Sequence, residues 1–181
     1  MHDIMTDNCK IDVLINCAGI TLPNDFAGFY LSKYWSKTID SNLTSVFNMC
    51  QCVGLHMLES KTKGSIINFT SIGAVQAMPN NPAYAAAKAG VMQLTKAFAL
   101  DWGKHGVRVN NIGPGYTETK MNKISLADPE EYKLRADNSM LGRWAKPEEM
   151  VGPAIFLASD ASSFITGSDL WVDGGWLSKG M

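Results

Sequence analysis

The sequence has 181 residues, 46% of them hydrophobic and 18% charged, with 16 Lys plus Arg against 17 Asp plus Glu and a formal net charge of -1. That length suits one domain with a sizeable core, and the composition excludes a disordered chain. The balanced charge excludes a polybasic nucleic-acid binder, no apolar run reaches the length of a membrane span, and residues 1–7 lack the basic-then-apolar order of a signal peptide. Cys9, Cys17, Cys50 and Cys52 form no C-x-x-C and no paired zinc knuckle. Cys50 and Cys52, two residues apart, cannot share one helical face, so no metal site is expected. Reduced thiols fit a cytoplasmic protein.

In chain order, Asp12-Val13-Leu14-Ile15-Asn16-Cys17 is a short apolar run closed by Ala18-Gly19, the pattern of a strand buried on both faces. Across 32–59, Ile39, Leu43, Val46, Phe47, Cys50, Val53 and Met57 recur at steps of three and four, which predicts a helix with one apolar face. Asp40-Ser41-Asn42 interrupts it, because short polar side chains compete for backbone hydrogen bonds, and Gly64 ends the connection. Ser65-Ile66-Ile67-Asn68-Phe69 predicts a second strand and 73–82 a loop rich in Gly, Pro and Asn. A long helix is predicted over 84–102, with Ala87, Val91, Leu94 and Phe98 on one side, ended by Gly103 and Gly106. A third strand follows at 107–112, and Gly113-Pro114-Gly115 turns out of it. Segment 116–141 is polar and charged; inside it, Asp128-Pro129-Glu130-Glu131 combines an Asp cap, a first-turn Pro and a Glu at the third position, which is a helix start. Pro147-Glu148-Glu149 opens another helix to about residue 159, 169–173 predicts a last strand, and Gly174-Gly175 a turn. Strands alternating with long helices predict an α/β, doubly wound parallel sheet in three layers, in a single domain over 1–181.

Tyr84 and Lys88 stand four apart on the second long helix and so share a face. A free Tyr has a pKa near 10, and an adjacent ammonium favours the phenolate, so the pair suits a general acid or base acting on a hydroxyl or carbonyl. The spacing alone also describes an ordinary solvated surface pair. Its setting is what singles it out: Ser71 follows a predicted strand, Asn42 sits at the break in the preceding helix, and Asn16-Cys17-Ala18-Gly19 and Pro114-Gly115 end two further strands. Sites in parallel sheets lie beyond the carboxyl ends of strands.

This set of motifs resembles the short-chain dehydrogenase/reductase family, from about residue 12 to residue 175. The family's N-A-G motif is matched by Asn16, Ala18 and Gly19, with Cys17 where Asn is frequent. Its catalytic Asn resembles Asn42, its catalytic Ser Ser71, and its Tyr-x-x-x-Lys Tyr84 and Lys88. Its P-G-x-x-x-T segment resembles Pro114-Gly115-Tyr116-Thr117-Glu118-Thr119, and its C-terminal signature Ile165-Thr166-Gly167 followed by Val172-Asp173-Gly174-Gly175. The resemblance implies a Rossmann-like sheet and an oxidoreductase that uses NAD or NADP on a secondary alcohol or ketone. It implies that Tyr84 exchanges the hydroxyl proton and Ser71 holds the substrate oxygen. Lys88 lowers the Tyr84 pKa and binds the nicotinamide ribose, and Asn42 holds, through its backbone, a water leading to Lys88. Pro114, Gly115, Thr117 and Thr119 lie at the nicotinamide end; Asn16, Ala18 and Gly19 lie along the adenosine side. Each residue also has a plainer use: Ser71 as a turn cap, Asn42 as a kink, Asn16 as a tie between strands, Thr119 as an N-cap.

The family's Gly-rich phosphate turn has no counterpart, since neither G-x-x-x-G-x-G nor G-x-G-x-x-G occurs. The chain therefore resembles the family's C-terminal two thirds, a truncated domain without the first strands, in which 13–15 forms an uncovered apolar edge. Two readings follow: an oxidoreductase, with weak cofactor binding by these 181 residues alone, or a catalytically inactive remnant that serves subunit assembly. Members with this style of C-terminus act on sugars, polyols and sugar acids such as gluconate. The substrate side is expected at 116–141, with Gln76 and Met78 facing the same cleft. The resemblance further implies a homo-oligomer, dimer or tetramer, through the helices bearing Asn42 and Tyr84, with Phe47, Val53, Met92 and Phe98 on their outer faces. No nucleic-acid or membrane partner is expected.

Overall fold

The computed structural model describes residues 10–23 and 26–180. Residues 1–9, with Cys9, lie outside the described residues. Among the described residues, four strands form one sheet in the order β1 (Val13–Asn16), β2 (Gly64–Phe69), β3 (Val107–Pro114) and β4 (Asp169–Val172). Every adjacent pair is parallel. Parallel neighbours need crossovers, and helices supply them. Helices α1 (Ser32–Ile39), α2 (Ser45–Glu59) and α3 (Pro82–Trp102) precede β3; α4 (Lys123–Ala127), α5 (Pro129–Asn138) and α6 (Val151–Ala158) follow it.

Alternate residues of one strand serve opposite faces, and the two cores show it. Ile66, Val107 and Val109 pack with Val46, Cys50, Val53 and Met57 of α2 and Val91, Ala99 and Trp102 of α3. Ile67 and Ile112 pack with Met150 and with Leu157 of α6 on the other face. The sheet is thus covered on both sides, as the strand–helix alternation predicts. Helices α2 and α3 approach closely at Gly54, where a Cβ would stand 2.5 Å from the Trp102 ring. Val53 belongs to this inner face and is 3% exposed, which corrects its expected place on an outer patch. Phe98 likewise turns toward the core and stacks on Trp102 at 4.2 Å.

Several boundaries differ from the sequence reading: β2 starts at Gly64, and the long helix starts at Pro82, inside the expected 73–82 loop. Gly113 and Pro114 continue β3 rather than leaving it, paired with Trp171 and Val172. Pro fits there because it stands at the strand's end. The 32–59 helix is not broken at 40–42 but widened into one π-helical turn, Asp40–Thr44, between α1 and α2. The predicted start at Asp128 is present: its carboxylate accepts from Glu130 N at 3.0 Å and Glu131 N at 3.2 Å. Strand β1 is a sheet edge among the described residues, with Val13 39% and Ile15 45% exposed.

A polar line crosses the sheet at one level. Asn16, Asn68, Asn111 and Asp169 are register partners on β1 to β4. Asn16 Nδ2 donates to Asn68 Oδ1 at 2.8 Å, and Asn68 Nδ2 to Thr95 Oγ1 of α3 at 2.8 Å. Thr95 Oγ1 donates to Asn111 Oδ1 at 2.7 Å, and Asn111 Nδ2 to Asp169 Oδ1 at 2.7 Å. Thr95 is the hinge of this chain, accepting on one side and donating on the other. Thr95→Val keeps the shape but strands two buried amide groups, each a penalty of about 1–3 kcal/mol. Urea unfolding is expected to show a lower midpoint at unchanged slope; an unchanged midpoint would mean that the line carries no stability.

Candidate active site

The carboxyl ends of β1, β2 and β3 open into a cavity of about 440 Å³. Its lining contains Gly19, Ser71, Tyr84, Lys88, Pro114, Gly115, Thr117 and Thr119 from the sequence-derived set, together with Met78. Asn16, Ala18 and Asn42 are not in that lining. The Asn16 side chain is engaged in the sheet, donating to Asn68 and, at 3.3 Å, to Cys50 Sγ.

Asn42 sits in the π-turn, fully buried, and clips the loop beyond β1. Its Oδ1 accepts from Ile20 N at 2.8 Å and its Nδ2 donates to Ile20 O at 2.7 Å. Both amide functions are thereby used on one backbone residue. The clip brings Gly19 so near that a Cβ there would lie 3.2 Å from Asn42 Oδ1 and 3.7 Å from Lys88 Nζ. Gly115 is constrained in the same way from the other side, where a Cβ would meet Asp173 Cα at 2.8 Å.

Ser71 stands two residues beyond β2 and accepts from Gly73 N at 3.1 Å. Tyr84 lies in the first turn of α3, which Pro82 opens. Lys88, one turn on, is 5% exposed, and its Nζ donates to Phe69 O at 2.8 Å. Burial lowers the Lys88 pKa to about 8. Burial also raises the Tyr84 pKa; the hydrogen bond with Ser71 pulls it back and Tyr116 pushes it further up. The net shift of Tyr84 is upward, and burial is its largest cause. The Lys88 ammonium is tethered to Phe69 O and lies 5.7 Å from the centre of the Tyr84 ring.

On the far side, Thr117 Oγ1 donates to Gly115 O at 3.2 Å, and Asn122 Nδ2 donates to Thr117 O at 2.7 Å. Thr119 occupies the N-cap position of a short turn, Lys120–Asn122, but its side chain makes no capping hydrogen bond, and the residue lines the cavity. Gln76 does not line the cavity; its Oε1 accepts from Trp176 Nε1 at 2.6 Å instead. The site also contains residues that sequence reasoning did not single out individually, Tyr116 among them from the expected substrate side at 116–141. Tyr116 lines it, with its ring 5.2 Å from Trp144 and 4.9 Å from Trp176, and Arg135 lies 4.5 Å over that ring. Met150, Val151 and Ala154 bring the start of α6 to the cavity. Only Tyr116 had a local signal, its place within the P-G-x-x-x-T segment.

Chemically, the arrangement joins a buried phenol, a serine hydroxyl and a buried amine in the lining of one cleft. Glycines there let backbone come close to a ligand. Such a set can orient an alcohol or carbonyl oxygen and exchange a proton with it. Among the described residues, no helix is long and apolar enough to cross a membrane.

Comparison with known proteins agrees with this geometry. A family model described as enoyl-(acyl carrier protein) reductase matches residues 1–177. A 2-dehydro-3-deoxy-D-gluconate 5-dehydrogenase of Dickeya dadantii is 39% identical over 170 residues, 94% of this chain and 67% of its own length. A gluconate 5-dehydrogenase of Gluconobacter oxydans is 40% identical over 172 residues, 95% of this chain and 66% of its own. The chain thus spans about two thirds of the length of the curated relatives it matches. A crystal structure of a gluconate 5-dehydrogenase from Burkholderia cenocepacia, in complex with NADP and tartrate, superposes with a TM-score of 0.95 at 36% identity, covering 99% of this chain and 69% of that one. Matched along nearly its whole length in sequence and in fold, the chain belongs to the short-chain dehydrogenase/reductase family.

Proposed function

We propose that the protein is an NAD- or NADP-dependent oxidoreductase that interconverts a secondary alcohol and a ketone on a small polyhydroxy acid of the gluconate type. The convergence of Ser71, Tyr84 and Lys88 on one cavity carries this reading. Relatives named for gluconate and its dehydro-deoxy derivative support the substrate class. The neighbour held with NADP supports the cofactor.

The residues present suit the nicotinamide-ribose end of such a cofactor. Lys88 offers a buried cationic donor, Thr117 and Thr119 flank Gly115, and Gly19 and Gly115 present backbone without a Cβ. The bound nicotinamide supplies the hydride chemistry. The protein's own part is to hold the substrate and move its proton. Ser71 donates a hydrogen bond to the reacting oxygen, and Tyr84 takes the hydroxyl proton in oxidation or returns it in reduction. Lys88 holds the ribose hydroxyls and provides positive charge beside Tyr84. Because the Asn42 side chain is already committed to Ile20, its part in relaying a proton falls to its backbone. We also place a homo-oligomer, dimer or tetramer, on the outer faces of α2 and α3, where Phe47 is 37%, Leu55 49% and Leu100 82% exposed.

In the native protein, NAD- or NADP-dependent oxidation of gluconate-type acids is expected in an absorbance assay. Tyr84→Phe is expected to cut kcat by about a hundredfold or more while cofactor affinity holds. Near-wild-type turnover in that variant would remove Tyr84 from the mechanism, and turnover of simple polyols without any sugar acid would remove the substrate class. Light scattering at micromolar concentration is expected to give a dimer or larger assembly; a monodisperse monomer would contradict the proposed surface.

A further inference from the structure

The turn that follows β4 reaches back across the molecule to the loop carrying Ser71. Its contact there is the hydrogen bond from Trp176 Nε1 to Gln76 Oε1, 2.6 Å long and spanning 100 residues of sequence. The turn is firmly built at its base. The Asp173 carboxylate accepts from Gly175 N and from Leu177 N, each at 2.9 Å. Gly174 O accepts from Ser139 Oγ at 3.1 Å and from Leu141 N at 3.2 Å, which joins the turn to the end of α5. At Gly175 the chain takes φ 79°, and a Cβ would stand 2.7 Å from Met140 Sδ. Only glycine adopts that conformation readily in so little room.

Trp176 has a second neighbour. Its ring lies 4.9 Å from that of Tyr116, tilted by 56°. Tyr116 lines the cavity, whereas Gln76 and Trp176 do not. One indole therefore bonds the Ser71 loop through its N–H and packs, at a tilt, on a side chain of the site. Neither Gln76 nor Trp176 touches Ser71, Tyr84 or Lys88 in any hydrogen bond of the structure. Their influence passes through the positions of other groups.

We propose that Gln76 and Trp176 are positioning residues, a latch that ties the C-terminal turn to the Ser71 loop and holds Tyr116 as the wall against which the part of the substrate remote from the reacting carbon rests. The latch rests on the functional reading above. Its physical basis is that small displacements of a positioned substrate are expensive in rate, up to about a hundredfold for an ångström. The hydrogen bond is exposed, so its loss costs the whole fold little and shows itself locally.

Three variants of the native protein separate the latch from a merely structural role. Gln76→Leu removes the acceptor, Trp176→Phe keeps a ring on Tyr116 but removes the N–H, and Gln76→Glu keeps an acceptor. Hydrogen exchange of amides 173–178 is expected to speed up about fivefold in the first two, the weight of one hydrogen bond, and to stay near wild type in Gln76→Glu. Their KM for gluconate is expected to rise by about the same factor, with cofactor Kd unchanged. Unchanged exchange in Gln76→Leu overturns the latch, as does an unchanged KM in Gln76→Leu and Trp176→Phe. A native protein that turns over no sugar acid overturns the functional reading and this role together, whereas turnover with an unmoved KM overturns the latch alone.

Discussion

The hydrogen-bonded line through Asn16, Asn68, Thr95, Asn111 and Asp169 is the constraint on which the rest of the structure depends. It joins the four strands at one register level and ties them to α3. Buried amides are costly when unpaired, so a one-residue slip of any strand would strand several of them at once. The consequence for the site is direct. Three of the line residues are followed within a few positions by groups that line the cavity: Cys17 and Gly19 after Asn16, Phe69 and Ser71 after Asn68, Pro114 and Gly115 after Asn111. The line fixes where the strands end, and the site lies just beyond it.

The electrostatics of that site follow from its position. Helix α3 leans on the ends of β2 and β3 and carries Tyr84 and Lys88 inward. Phe69 O is one residue past the polar line and receives the Lys88 ammonium. Burial then works on both groups in the direction of neutrality, raising one pKa and lowering the other. For Lys88 the linkage sign is clear. A lysine that binds its proton less tightly folded than unfolded opposes folding below its folded pKa of about 8, and that opposition fades as pH rises toward the ordinary value of 10.5.

Much of this was legible in the sequence, because most of the determinants are local. The apolar runs of β1 and β2, the three-and-four spacing of α2, the cap at Asp128 and the Tyr84–Lys88 spacing each need only neighbouring residues. What escaped depends on pairing distant in sequence. Gly113-Pro114 reads as a turn until β4 lies beside it and pairs with it. Val53 fits either face of its helix until Gly54 brings Trp102 close and settles which side is inner. Asn16 reads in sequence as a tie between strands, but that its partner is Asn68, 52 residues away, is not local information. Asn42 was expected at a helix break, and its side chain instead explains a π-turn through a residue 22 positions earlier. Gln76 and Trp176 could not be joined by any local pattern.

The central claim is that the fold itself buries Lys88 beside Tyr84 and sets its proton affinity before any ligand arrives. It is tested most directly by NMR titration of the Lys88 side chain in the ligand-free protein, with Lys88→Met to assign the signal. The account predicts a midpoint near 8. A midpoint at the ordinary 10.5 would show a solvated amine and would contradict it.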